Sequence, residues 1–427
     1  MLEKVSLFNS KREIFLAFFI TAFIATYAIL IEYNNFKQLT RFDSNLTQAT
    51  LLKKYDKTKV SKKGKIKKYQ VLKLKSTNGY TFYTSTKPST KLFVGQKVNL
   101  EIWAGKINFY QYMSGFYAFS KIIHIDKKVF LKQKLNTLIQ KEHQDKTITS
   151  IYQALFTAKG LDSKIQSQFS SLGISHLVAI SGFHLGVLSA LLFFLFKYPY
   201  TFFQQRYFPY RSYRVDSFFF ISIILLAYLV FLDYPPSLLR AFFMLLIGFL
   251  LYDRGIKVVS QQTLLVTIIL LLALFPKLLF SIGFWLSVSG VFYIFLFLIH
   301  FKHLSKIWQF ILIPFWVYIL MLPYSIIIFG NFSLYHPLSI IWTSLFTLFY
   351  PLSIFLHLIN QGNLLDGLLQ SLLGIDTKSI QITLDWKWLI LDIFLSLATL
   401  FKKVFLFPLF LFSLWIFFYS YSELLLN

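Results

Sequence analysis

Runs of about 20 apolar residues, the length a helix needs to cross the hydrocarbon of a bilayer, recur along this chain between short polar breaks. The first is "IFLAFFITAFIATYAILI", Ile14 to Ile31. The apolar pattern then stops between about Asn34 and Thr149 and resumes near 171. From there the spacing predicts roughly nine spans: 176–196, 217–232, 237–252, 261–275, 278–299, 309–329, 337–359, 386–401 and 404–421.

The polar interval reads differently. "YQVLKLK" (69–75) alternates apolar and basic residues, as a half-buried strand does. Asn78-Gly79 is a strong hairpin signal, and "YTFYTS" (80–85) follows as the returning strand. "KVNLEIW" (97–103) and "NFYQYMSGFYAFSKIIHI" (108–125) supply further alternating segments. These predict a small β-barrel of about five strands. From Phe130 to Ser170 the chain is polar and helix-like, with Leu131, Leu135, Leu138 and Ile139 at helical spacing. It is too short in apolar length to span and suits a position on the membrane or against the bundle. The organisation predicted is an anchor over 1–35, a β-domain over 36–128, an interfacial helical segment over 129–170 and a polytopic domain over 171–427.

Composition supports that class. Of 427 residues, 56% are hydrophobic and 14% charged, which excludes an ordinary soluble domain. The chain is a multi-pass helical membrane protein with a small all-β domain. There is no cysteine, hence no disulfide framework and no thiolate metal site. The net charge of +25 is concentrated: residues 51–130 hold eighteen lysines, no arginine and three acids. Basic strands interleaved with aromatics suit single-stranded nucleic acid, whose phosphates and bases need both. The candidate contacts are Lys62, Lys63, Lys65, Lys67, Lys68, Lys73, Lys75, Tyr80, Phe82, Tyr83 and Tyr110, with Tyr112 and Tyr117 among the neighbouring aromatics. The plainer reading is a solvated lysine-rich face.

Charge also orients the chain. Lys4, Lys11 and Arg12 precede the first run, and no small-residue cleavage site follows it, so an uncleaved anchor with a cytoplasmic N-terminus is expected. The β-domain then lies outside. The short basic loops at 197–216, 253–257 and 300–306 fall inside, as the positive-inside rule requires. Lys402 and Lys403 fall on the wrong side of this scheme, and 360–385 is only weakly hydrophobic, so one segment there is missing or re-entrant.

Within the spans a few polar residues stand out. "SLGISHLVAISGFHLGVLSALL" (171–192) holds His176, Ser181, Gly182, His184 and Gly186. The two histidines are eight apart, about 80° off a common helix face, and no acid or third ligand accompanies them. A metal site or a serine hydrolase therefore lacks parts. The remaining readings are a broken helix at Ser181-Gly182, of the kind transporters place at their pathway, or a tight crossing with Gly182 and Gly186 as a small-residue face. In "DYPPSLLRAFFMLL" (233–246), Pro235-Pro236 starts a helix and Arg240 lies about one turn in. Arg240 either snorkels to the interface or presents a planar cation to a passing phosphate. "SIGFWLSVSG" (281–290) adds Gly283, Ser287, Ser289 and Gly290. "MLPYSIIIFGNFSLYHPLS" (321–339) adds Pro323, Gly330, Asn331 and Pro337 as breaks in two neighbouring spans.

The segment running to "GISHLVAISGFHLG" resembles the signature of the ComEC competence family, through Gly173, His176, Leu177, Ala179, Ile180, Ser181, Gly182, His184 and Gly186. "PPSLLRAFFM", "FPKLLFSIGFWLS" and "LPYSIIIFGNFSLYHPLS" are similar to further family segments and fall in the family's order over about 150–360. The resemblance implies an inner-membrane channel carrying single-stranded DNA into the cytoplasm, and an OB-like external β-domain. It implies a channel set of His176, Ser181, Gly182, His184, Arg240, Gly283 and Ser287. It implies a periplasmic DNA receptor and a cytoplasmic helicase-like factor as partners, alongside membrane lipid; a homo-oligomer stays open. Two departures stand. No H-x-H-x-D-H cluster of the family's metallo-β-lactamase-like domain occurs, so no nuclease activity, metal or cofactor is expected. Trp285 stands where many relatives have a polar residue, and Trp342 lies near a usual Asn, so neither position is carried over as a channel-lining polar contact. No Walker motif occurs, so no motor is expected in this chain. The competing expectations are a transporter for another anionic polymer or solute, and an intramembrane enzyme using His176, Ser181 and His184.

Overall fold

The computed structural model describes residues 10–60, 66–87, 92, 94–126, 131–255 and 258–426. Its first element is the helix α1 (Lys11–Thr40), capped by Ser10, whose side chain accepts from the Glu13 N–H. Among the described residues eight helices are long and apolar enough to span a bilayer, α1 among them, and the chain is a multi-pass membrane protein.

The β-domain follows at once. β1 (Ser44–Val60), β2 (Ile66–Ser76), β3 (Thr81–Thr86) and β4 (Lys97–Trp103) precede a short helix α2 (Phe109–Ser114), then β5 (Phe116–Tyr117) and β6 (Phe119–Ile125). The sheet order is β5-β3-β2-β1-β4-β6. Only Ala118 separates β5 from β6, so the two ends of that order are one stretch of chain and the sheet closes into a barrel. The Ala118 N–H donates to the Tyr83 carbonyl at 2.9 Å, and Thr84 meets Ser120 at 2.8 Å across the seam. The hairpin at Asn78-Gly79 forms as its sequence predicts: Gly79 has φ +84°, a left-handed conformation that costs glycine little, and its N–H reaches the Ser76 carbonyl.

Inside the barrel lie Leu51, Leu72, Leu74, Phe82, Val98, Leu100 and Ile102, all fully buried, with Tyr80, Tyr112 and Phe116. Leu39 and Phe36 of α1 join this core, so the anchor and the barrel share one apolar interior. The barrel seats on the rest of the chain through charged contacts. Lys277 pairs with Glu32 at 2.8 Å, and the Tyr112 hydroxyl donates to the same carboxylate at 2.9 Å. Lys75 of β2 lies over the Tyr234 ring, next to an ion pair at 2.5 Å between Asp233 and Lys132, which follows the barrel in the chain.

Three short helices come next: α3 (Leu131–Glu142), α4 (Lys146–Thr157) and α5 (Ser163–Ser171). A single turn α6 (Ser175–Val178) leads to α7 (Gly182–Tyr207), α8 (Tyr213–Phe231), α9 (Pro236–Asp253), α10 (Gln261–Leu274), α11 (Ile282–His300) and α12 (Lys306–Phe329). β7 (Asn331–Ser333), α13 (Ser339–Leu358), α14 (Asp366–Leu373), β8 (Ser379–Gln381), α15 (Trp386–Phe401) and α16 (Leu406–Leu426) complete the chain.

α13 has the length and hydropathy of a span, but its contacts lay it across one end of the bundle. It meets α7 at Phe183 and His184, in the first turn, and α8 at Tyr228, in the last. Its far end reaches α3 and α14: His357 Nε2 lies 3.0 Å from His143 Nε2, and His143 Nδ1 lies 2.9 Å from Asp366. β7 and β8 then pair antiparallel, so the α13–α14 excursion starts and finishes at the same end. This corrects the alternation read from the sequence. With α13 removed from the count of crossings, α15 starts at the barrel end, and Lys402-Lys403 join the basic loops around Arg211, Arg254 and Lys302 at the opposite end.

Two expected breaks do not form. α11 runs unbroken through Gly283, Ser289 and Gly290, and α12 runs unbroken through Pro323 until Gly330, whose φ is +72°.

Candidate functional site: the barrel end of the bundle

The signature residues gather where α5, α6, α7, α9, α11 and α13 meet. Gly173 ends α5 with φ +72°, and a Cβ there would lie 3.2 Å from His336. His336 in turn donates to the Ser170 carbonyl at 2.9 Å. The chain then makes the turn of α6 and leaves helical geometry at Ala179–Ser181. The break read at Ser181-Gly182 is therefore real, but it opens a span and does not interrupt one.

Its free backbone groups are satisfied by protein, as a membrane setting demands. The Ile180 carbonyl accepts from the Ser237 hydroxyl at 3.1 Å. Ser181 caps α7 reciprocally with His184: the Ser181 N–H donates to His184 Nδ1 at 3.1 Å, and the Ser181 hydroxyl lies 2.9 Å from the same nitrogen. Nδ1 is thus an acceptor and the ring proton sits on Nε2. The contact looks like a serine–histidine pair but serves as a helix cap, since one nitrogen takes both bonds. The ring stands edge-on to Tyr350 and Phe346 of α13.

Gly182 is where α9 comes closest. A Cβ there would lie 2.9 Å from the Ala241 Cβ and 3.0 Å from Arg240 Nη2, so no side chain fits without displacement. Gly186 has open space around its Cβ position, which removes it from the small-residue crossing read with Gly182.

Arg240 does not snorkel. It is 5% exposed; its Nε donates to Ser287 on α11 at 2.9 Å and its Nη1 to the Met244 sulfur at 2.9 Å. No carboxylate pairs with it among the described residues. A buried guanidinium held by a hydroxyl and a thioether, with no counter-ion, is costly to keep. Pro236 at the first turn of α9 and the Gly182 contact fix its position. Arg240, Ser287 and Gly182 are thus brought together. Gly283 sits exposed in the first turn of α11, its Cβ position touched only by Ser281. His176 is exposed one turn before the cap and bonds Thr343 of α13 at 3.1 Å. Trp285 donates its indole N–H to the Leu279 carbonyl, and Trp342 in the first turn of α13 is half-buried against the core of α4 and α5.

On the barrel, the sequence-derived set divides. Tyr80 and Phe82 are buried in the core, Tyr80 bonding Thr47, so neither ring can stack on a base; this corrects both. Tyr112 is also buried. Lys62, Lys63 and Lys65 lie outside the described residues, and Lys67 stands in β2. Lys68 is exposed at the start of β2. Lys75 and Tyr110 face the bundle, Tyr110 with its ring edge-on to Phe280.

Lys73 and Tyr83 do face outward, and the register extends their row. Lys53 pairs with Lys73, Lys73 with Tyr83, and Tyr83 with Tyr117, across four strands. Phe119 follows two residues on with its ring edge-on to Tyr117, and Trp103 lies directly opposite Phe119. Lys73 caps the Tyr83 ring at 5.5 Å. Burial, then the charge of Lys73, pulls the Lys53 ammonium below its ordinary pKa; burial does the same to Lys75 and Lys159. Lys159 follows α4 beside Gly160, whose Cβ position touches Lys53. The neighbouring Ala158 packs against the core that holds Ile180 and Leu238. Lysines and exposed rings therefore run from the barrel wall to the turn that abuts the Arg240 region. Lys53, Trp103, Phe119 and Lys159 were not singled out in the sequence, because only strand register places them in one row.

No match was found among curated proteins or solved structures. The family model for competence proteins matches residues 156–426, more than half the chain. That stretch contains the Ser181 cap, the Gly182 crossing and Arg240, and the chain belongs to the competence protein family.

Proposed function

We propose that this protein is the channel through which single-stranded DNA crosses the inner membrane to the cytoplasm during natural transformation. Membership of the competence family supports a role in DNA uptake. The finer reading rests on one observation: Arg240, buried in the bundle without a carboxylate, beside the crossing that only Gly182 permits. A guanidinium so placed is a ready partner for a phosphate, whose geometry its planar fork matches.

The barrel supplies the approach. Its strand order, with β3 parallel to β5 and β1 between β2 and β4, supports the OB-like reading. Its outer row of Lys53, Lys73, Tyr83, Tyr117 and Phe119 offers charge for the backbone and rings for the bases. The basic loops at the opposite end support a cytoplasmic side there, with the barrel outside and the N-terminus inside. DNA then reaches the barrel from a periplasmic receptor and leaves to a cytoplasmic helicase-like factor. The protein acts without turnover chemistry, metal or cofactor. Transport of a different anionic polymer is the alternative; it shares Arg240 but has no need of the aromatic row.

The test follows fluorescent double-stranded DNA in cells lacking the gene, complemented with the natural protein or with Arg240→Gln, scoring envelope and cytoplasm separately. DNA held in the envelope in both the deletion and the variant is the expected result. Unchanged arrival in the cytoplasm would overturn the channel reading.

A further inference from the structure

Away from the Arg240 region, a second ionisable group lies inside the bundle. Asp392 stands near the middle of α15 and has no exposed surface. Its Oδ2 accepts from the Tyr293 hydroxyl of α11 at 3.2 Å, and that hydroxyl also meets Ser396 at 2.7 Å. Tyr324 of α12 flanks the carboxyl. Its Oδ1 has no hydrogen-bond partner.

The hydrogens can be counted. Tyr293 carries one, which goes to Asp392, so Ser396 must donate to Tyr293. A carboxylate here would have only neutral hydroxyls, those of Tyr293 and Tyr324, to solvate it, where stable buried carboxylates collect two or three donors or a cation. The titratable groups facing it are Tyr293 and Tyr324. Among the described residues no lysine, arginine or histidine pairs with it from α11, α12, α16 or the 403–405 turn. Beyond these hydroxyls and Ser289, which meets Tyr324, the neighbouring helices contribute Leu296, Leu320 and Leu409. Charging an acid so placed carries a desolvation cost that binding a proton removes.

We propose that Asp392, with Tyr293, Tyr324 and Ser396, is an intramembrane proton-binding site. Binding converts the carboxylate to the acid at Oδ1, the proton coming from the aqueous phase and returning to it. Release leaves a charge that α11, α12 and α15 must rearrange to solvate. α11 also carries Ser287, the partner of Arg240, so loading of Asp392 is felt by the helix that holds the guanidinium.

The test is infrared difference spectroscopy of the full-length protein in lipid nanodiscs, titrated with pH without DNA. The expected result is a protonated-carboxyl band that disappears as pH rises, is lost in Asp392→Asn and is displaced in Asp392→Glu. Tyr293→Phe removes a hydroxyl that bonds the carboxylate and should move the titration to higher pH, which keeps the test open where Asp392→Asn misfolds. A band indifferent to pH, one that survives in Asp392→Asn, a midpoint unmoved by Tyr293→Phe, or a response to sodium in place of protons would each overturn the assignment. No DNA enters the readout, so its failure and that of the channel reading are separate events.

Discussion

On the barrel, Lys53 and Lys73 stand outward from strands whose other face is apolar; in the bundle, Arg240 is turned inward among helices whose outward faces are apolar. Charge on the barrel is plural and lies at its surface, where Lys73 meets water and salt while Lys53 is partly desolvated. Charge in the bundle is single, buried and tied to two named partners. The difference teaches which charges can be exchanged. One lysine of a solvated row can stand in for another, because screening averages them. A desolvated arginine cannot be replaced by its neighbours, because no other guanidinium occupies that depth.

The sharpest way to break the contrast is Gly182→Leu. The new side chain must displace Ala241 and Arg240, an overpacking of ~1–3 kcal/mol, and cytoplasmic DNA should fall below detection in the uptake assay while membrane insertion persists. Next comes Arg240→Gln, expected to lower uptake by at least about tenfold, ~1.4 kcal/mol, at every ionic strength. The double change Lys53→Gln with Lys73→Gln should act more weakly. Titration of the purified full-length protein with a labelled oligonucleotide should show the salt slope falling by about 0.7 for each phosphate that is no longer neutralised. Tyr83→Ala should cost ~1–3 kcal/mol of oligonucleotide affinity with little change in melting, whereas Tyr80→Ala should destabilise the barrel by about 3–5 kcal/mol through a core cavity. If the two tyrosines exchanged these effects, the assignment of inner and outer faces would be wrong. The mildest change is Ser181→Ala: loss of the cap costs about 1 kcal/mol of stability and uptake should stay within about twofold. Abolition of function by that substitution alone would favour the enzyme reading.

Much of this was legible in the chain. Hydropathy found the spans, the Asn78-Gly79 hairpin formed, and Pro236 opened α9 with Arg240 one turn in. The failures have physical causes. "YTFYTS" has aromatics on both faces of a period-2 strand, so alternation cannot say that Tyr80 and Phe82 point inward and Tyr83 outward. The partners of Lys53 are set by register with β2, which no local pattern encodes. Arg240 could be placed on its helix but not at its depth, because snorkelling and burial share one sequence. Helix-weakening residues in α11 and α12 predicted breaks that tertiary packing overrides. The course of the chain after 360 depends on a pairing of Asn331 with Gln381, far outside any local window.

That small β7–β8 clasp has a bearing on biogenesis. By returning the chain to its point of departure, it separates the length of the α13–α14 excursion from the orientation of everything after it. In the folded chain α12 and α15 stand as a hairpin with a long detour at its tip. Growth, shrinkage or late docking of that detour leaves Lys402 and Lys403 on their own side. The region that touches His176 and His184 can therefore diverge without inverting the C-terminal helices.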